Sequence, residues 1–159
     1  MAGVRDHINE QNIFERRLGQ IMGWSFVEEQ GKGSCIDYNS PDGTKIEVKF
    51  DWDSISTGNH YLEYAQTSDG GMKWVPSGFS ISAEEADLWV IINEEWMRIL
   101  SISSMREMVK ENRSKMRIAK TRAGVNHNQA GQFSKAYLVP FEILDNYVIL
   151  KTESPIKRD

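Results

Sequence analysis

Between His7 and Met22 the apolar residues Ile13, Phe14, Leu18, Ile21 and Met22 recur at helical spacing, with polar residues between them. That period predicts an amphipathic helix of about four turns. Gly23 follows the last apolar pair and is the residue expected to end the helix as its C-cap. Trp24 to Val27 then reads as a short apolar lead-in to a sheet, and Gly31-Lys32-Gly33 as a loop. Two strands are expected next, Ser34 to Asn39 and Thr44 to Asp51, around the turn Ser40-Pro41-Asp42-Gly43. Proline early in that turn and glycine at its end favour a type I turn closed by a bulge at Gly43.

After the polar connection Trp52 to Gly58, the residues His60 to Gln66 predict a third strand beside the second, and Ser68-Asp69-Gly70-Gly71 a turn. Ser80 to Ala86 predicts a short helix with Ser82 as N-cap and Glu84 and Glu85 in its first turn. Leu88-Trp89-Val90-Ile91-Ile92 is an unbroken apolar run, the mark of a strand covered on both faces. Trp96 to Ile102 is expected as another strand, and Ser104-Met105-Arg106-Glu107 has the spacing of a capping box opening a helix to about Glu111. Residues 113–132 are polar and basic without a clear period, which predicts a long loop. Ala136 to Val139 is a late strand, and Pro140 to Leu144 a turn or short helix. No repeat is visible. The order is that of one mixed α/β domain over residues 1–159: an N-terminal helix, a three-strand meander, a helix and further strands.

Composition changes little in this picture, but the distribution of charge does. The net charge is −4, which argues against a chain coated in basic residues. Residues 1–97 carry 17 acidic against 7 basic side chains, whereas residues 98–122 carry 8 basic against 2 acidic. An acidic body with one basic segment suits a site that gathers carboxylates for a metal and holds a polyanion elsewhere. A solvated basic helix and loop gives the same pattern. The single cysteine, Cys35, cannot staple the chain and fits a reducing compartment. Neither a membrane-length apolar run nor a secretory leader pattern is found, so the expected setting is the cytoplasm.

The chemistry is concentrated on the second strand. There Ile46, Val48 and Phe50 alternate with Lys45, Glu47, Lys49 and Asp51, so Glu47 and Lys49 share a face. A two-residue loop would set Asp37 opposite Ile46, whereas the bulged loop pairs Ser40 with Thr44 and so Asp37 with Glu47. Two carboxylates and an ammonium on one face suit a hard divalent cation such as Mg²⁺ or Mn²⁺, held by Asp37, Glu47 and the Val48 carbonyl. Lys49 would then orient an attacking water or offset charge developing on a phosphorus centre. An exposed sheet face of paired Lys and Glu gives the same three residues.

Read in order, Asp37 and Ile46-Glu47-Val48-Lys49 resemble the core motif of the PD-(D/E)XK nuclease superfamily, the restriction-endonuclease-like fold. Phe14-Glu15-Arg16-Arg17-Leu18 with Ile21-Met22-Gly23-Trp24 resembles the first helix of that superfamily, which often supplies a further acidic residue. Thr57-Gly58-Asn59 before Tyr61-Leu62-Glu63-Tyr64, Ser77-Gly78-Phe79 before Ala86-Asp87-Leu88-Trp89-Val90, and Ala136-Tyr137-Leu138-Val139-Pro140 resemble stretches of its phage-type members. The match runs from about residue 10 to residue 144. It departs where the family places proline before its first aspartate, since Ile36 precedes Asp37.

The resemblance implies a Mg²⁺-dependent deoxyribonuclease, with Glu15, Asp37, Glu47 and Lys49 catalytic and Glu15 on a second ion or a metal-bound water. It implies a DNA substrate, recognised by structure or without sequence preference, in the manner of a four-way-junction resolvase or another phage recombination endonuclease. A homodimer would suit a two-fold symmetric junction. The basic residues Arg113, Lys115, Arg117, Lys120, Arg122 and Lys135 are the candidates for the phosphate backbone. Glu63 and His60 are possible accessory groups, with His60 and His127 expected at the surface or against substrate. Asp87 reads as a strand anchor, and Trp52, Trp74 and Trp96 as core residues, of which Trp52 or Trp74 could instead stack on bases. A nuclease-fold protein that binds DNA without cutting it is the alternative.

Overall fold

The structure is a computed structural model that describes residues 4–27, 36–122 and 131–157, with the side chains of residues 4–12, Ser82 and Arg122 outside that description. Cys35, His127 and the Gly31-Lys32-Gly33 loop lie outside the described residues. The N-terminal period forms helix α1 (Val4–Met22), which ends one residue before Gly23 as the pattern predicts. Its stripe places Phe14 and Leu18 against one face of a six-stranded sheet. That sheet has the order β1 (Ser25–Phe26), β2 (Tyr38–Asn39), β3 (Lys45–Phe50), β6 (Leu88–Ile92), β7 (Trp96–Ser101) and β10 (Leu150–Glu153). All its neighbours are antiparallel except β3 and β6, which run parallel. A parallel pair needs a long crossover. Here that crossover holds α2 (Ser54–Thr57), β4 (Asn59–Thr67), β5 (Val75–Pro76) and α3 (Phe79–Glu85).

A second, antiparallel sheet has the order β5, β4, β9 (Phe133–Pro140) and β8 (Arg117–Arg122). Between the sheets in sequence stands α4 (Ile102–Asn112), and α5 (Phe141–Leu144) follows β9. The core therefore has two parts. Phe14 and Leu18 pack on Tyr38, Ile46, Val48, Val90 and Ile92. On the sheet's other face Trp89, Ile91 and Leu100 meet Leu62, Val139, Met105 and Met108. Side chains of this size each contribute about 1.5–3 kcal/mol on full burial.

Four expectations need correction. The strand predicted over His60 to Gln66 exists as β4, but it pairs with β5 and β9, not with β3. The place beside β3 goes to β6, whose Val90, Ile91 and Ile92 are buried whichever face they point to and so demand a central position. The meander is instead β1-β2-β3. Residues 117–122, expected within a loop, form β8 through pairing with β9, although its own pattern has no buried side to reveal it. Ser104 does not cap the next helix: Ser101 does, accepting from the Ser104 N–H at 3.0 Å. Ser82, expected as an N-cap, lies inside α3. Strand β10, wholly exposed and paired to β7, carries no sequence signal.

Candidate active site

The β2-β3 hairpin is closed by the bonds its turn residues predict. Gly43 N–H donates to the Ser40 carbonyl and Ser40 N–H to the Thr44 carbonyl, both at 2.9 Å. Gly43 adopts φ +85°, a conformation that strains a side-chain-bearing residue. The Asp42 carboxylate accepts from the Thr44 N–H and hydroxyl at 3.1 and 2.7 Å and locks the turn. This register pairs Tyr38 with Ile46 and Asn39 with Lys45, where the ladder stops. Asp37 then brackets Glu47. Its N–H donates to the Ile46 carbonyl at 3.0 Å, and its carboxylate accepts from the Val48 N–H at 2.8 Å.

Glu47 is only 4% exposed. The Lys49 ammonium donates to its Oε1, while its Oε2 is buried and, among the described residues, faces no donor unless the Asp37–Glu47 pair carries a proton. Burial raises the Glu47 carboxyl to about 7; the Lys49 charge opposes that rise, and the Asp37 carboxylate adds to it both by charge and by a hydrogen bond. Two carboxyl groups that close can share a proton, but two carboxylates there repel. At neutral pH the pair needs a proton or a cation to be satisfied.

Lys49 extends over the Trp89 ring, 5.3 Å from its centroid. The parallel register explains this, since Glu47 is level with Trp89 and Lys49 with Ile91. The Trp89 indole N–H donates to His60 Nε2 at 3.2 Å, and His60 Nδ1 lies 2.7 Å from the Asp51 carboxylate. An indole N–H can only donate, so His60 Nε2 accepts, and Nδ1 carries the hydrogen that Asp51 receives. His60 is 1% exposed, which corrects the first of its two expected positions, at the surface, and leaves the second, against substrate. Lys49, Asp51, Asp53, His60, Glu63 and Trp89 line a cavity of about 310 Å³. Glu63 accepts from Ser77 at 2.8 Å and Gln66 at 2.7 Å. Gly78 packs so tightly on this strand that a Cβ there would stand 2.6 Å from the Glu63 carbonyl oxygen.

Glu15 is not brought to the pair in the same way. Helix α1 covers the Tyr38–Ile46 side of the sheet, and the Tyr38 hydroxyl donates to the Glu15 carbonyl oxygen. Burial, then the charges of Glu15 and Asp37, push the Tyr38 phenol up, so both acids lie near that ring. Among the described residues no group of three or more His, Cys, Asp or Glu comes together to hold a metal. Asp87 is the anchor expected, its carboxylate accepting from the Lys45 N–H at 2.9 Å. Trp52 packs on Phe14 and Phe50.

The basic candidates are divided. Arg113 caps α4 and Lys115 follows it, both exposed. Arg117 and Thr121 line a second cavity with Asp51, Asp53 and Tyr61, three residues that also line the first. Lys120 and Lys135 leave the opposite face of the second sheet, and the Arg122 side chain lies outside the description. Asp51 and Asp53 were not singled out from sequence, although Asp51 continues the alternation of Glu47 and Lys49. Comparison with protein-family models, curated proteins and solved structures yields no match to this chain. No helix among the described residues is long and apolar enough to cross a membrane.

Proposed function

We propose that this protein is a metal-dependent DNA endonuclease with a restriction-endonuclease-like core. The observation that carries this reading is the buried Glu47, facing Asp37, with one oxygen on Lys49 and the other, among the described residues, facing no donor when the pair is ionised. The donor set fits a hard cation: two adjoining carboxylates whose repulsion a cation relieves, just past the end of the β2–β3 ladder. Asp37 and Glu47, with the Val48 carbonyl, would hold Mg²⁺ or Mn²⁺, which lowers the pKa of a bound water and polarises a phosphoryl oxygen. Lys49, 39% exposed in its side chain, reaches solvent and would steady charge building on the phosphorus centre. Trp89 beneath it and the Asp51–His60 pair behind hold that ammonium's platform in place. The order of helix, antiparallel meander, helix and parallel strand supports the same reading. Glu15, near Tyr38, enters as an outer acid only.

The test is cleavage of supercoiled, single-stranded and four-way-junction DNA with Mg²⁺ and with EDTA. Mg²⁺-dependent cleavage is expected from the wild type, falling about 10²–10³-fold in Lys49→Ala, the scale of losing one group that stabilises transition-state charge. A Lys49→Ala protein cutting at the wild-type rate sinks the mechanism. Wild-type protein that binds DNA with a steep salt dependence but never cuts it assigns a binding module instead.

A further inference from the structure

Lys120 on β8 and Lys135 on β9 are direct cross-strand partners, so both side chains leave one face of the sheet, with Cβ atoms about 5 Å apart. Like charges so placed repel. Among the described residues neither lysine forms an ion pair. Aromatic rings stand where a carboxylate would relieve the repulsion. The Lys135 ammonium lies 4.1 Å from the Trp74 ring centroid, and that of Lys120 lies 4.6 Å from Phe133 and 5.9 Å from Trp74. A ring face attracts a cation through its quadrupole and carries no net charge. Both ammoniums therefore lie within 5.9 Å of the Trp74 ring centroid with their full charge available.

This face is not an extension of the cleft. Alternation along β8 sends Arg117 and Thr121 toward the cleft and Lys120 away from it. Thr121 confirms the cleft side through its 2.6 Å bond to the Tyr61 hydroxyl. We propose that Lys120 and Lys135 form a separate contact for the phosphodiester backbone of DNA on the second sheet's other face, past the end where its Tyr137 and Val139 pack on the core. One phosphodiester offers two unesterified oxygens to two adjacent donors and relieves the lysine repulsion. The contact reads backbone and not bases, because Lys135 occupies one side of the Trp74 indole and Gly71 packs against it, its Cβ position 3.6 Å away. The choice of DNA as the polyanion rests on the proposed function; the site itself rests on the lysine pair and its rings.

The experiment is equilibrium binding of a labelled DNA strand, and of its duplex, across a salt series in EDTA, where nothing is cut. In the double variant K120Q/K135Q, affinity drops, and the slope of log K against log salt shrinks by about 0.7 for the strand and about 0.9 for the duplex, the value for one phosphate contact. K120R/K135R restores the slope. The glutamine variant melts at or above the wild-type temperature, because a repulsive pair has gone; this separates lost contact from lost fold. An unchanged slope overturns the proposal. So does displacement by polyglutamate as effective as by DNA, which assigns the face to an acidic protein. Cleavage by the Lys49 site is read separately in Mg²⁺, so failure of either reading leaves the other identifiable.

Discussion

Glu47→Gln exchanges a buried carboxyl for an uncharged side chain of the same size. Its folded value of about 7 stands above the ordinary 4.5, chiefly because burial penalises the charge. Between those values the native protein keeps a proton that the unfolded chain has released. Stability contributed by this group is therefore complete below the ordinary value, falls as pH rises through the window, and is lost above about 7. The interval corresponds to about 3 kcal/mol, at 1.36 kcal/mol per unit. For a chain of this size that is about 6–12 °C in melting temperature. The variant keeps an amide oxygen to accept from Lys49 and loses only the charge on that bond, an ammonium 39% exposed being offset by water.

Urea or thermal unfolding of wild type and variant in EDTA at pH 4.5 and pH 8 checks the expectation. The two proteins should be close at the lower pH, and the variant more stable by about 3 kcal/mol at the higher one. Mg²⁺ should then recover the wild type at pH 8 and leave the variant unmoved, since ligand binding to the native state stabilises it. Parallel pH curves for the two proteins would refute the assignment of that charge penalty to Glu47. A variant less stable at both pH values would show that the Lys49 bond outweighs burial.

Other substitutions probe the frame around the pair. His60→Ala leaves the buried Trp89 indole N–H without its partner and takes from the half-buried Asp51 carboxylate its shorter contact, the Tyr61 N–H at 3.3 Å remaining. The expected cost is about 2–4 kcal/mol by thermal denaturation, partly recovered by His60→Gln, which can both accept and donate. A melting curve matching the wild type would mean the network is not holding the strand. Gly78→Ala forces a Cβ to 2.6 Å from the Glu63 carbonyl oxygen at φ +51°. It should destabilise by at least about 1–3 kcal/mol, with a readout in the same unfolding assay. An unaffected variant would show that β4 and the α3 entrance can separate freely.

The hairpin that carries the candidate site was legible because its determinants are local. Pro41 and Gly43 define the turn, the turn defines the register, and alternation along Lys45 to Asp51 places Glu47 and Lys49 on one face. Helix α1 was legible for the same reason, its stripe being a property of about twenty consecutive residues. The neighbours of these elements were not. That β6 lies beside β3 and β4 in another sheet depends on which surfaces bury most apolar area, a competition among segments far apart in sequence. Burial of His60 and pairing of Lys120 with Lys135 also come from strands joined only in space. Sequence thus determined that Asp37, Glu47 and Lys49 stand together. Tertiary packing alone decided that Glu47 is buried, that Trp89 lies beneath Lys49, and that the basic residues stand on two different faces.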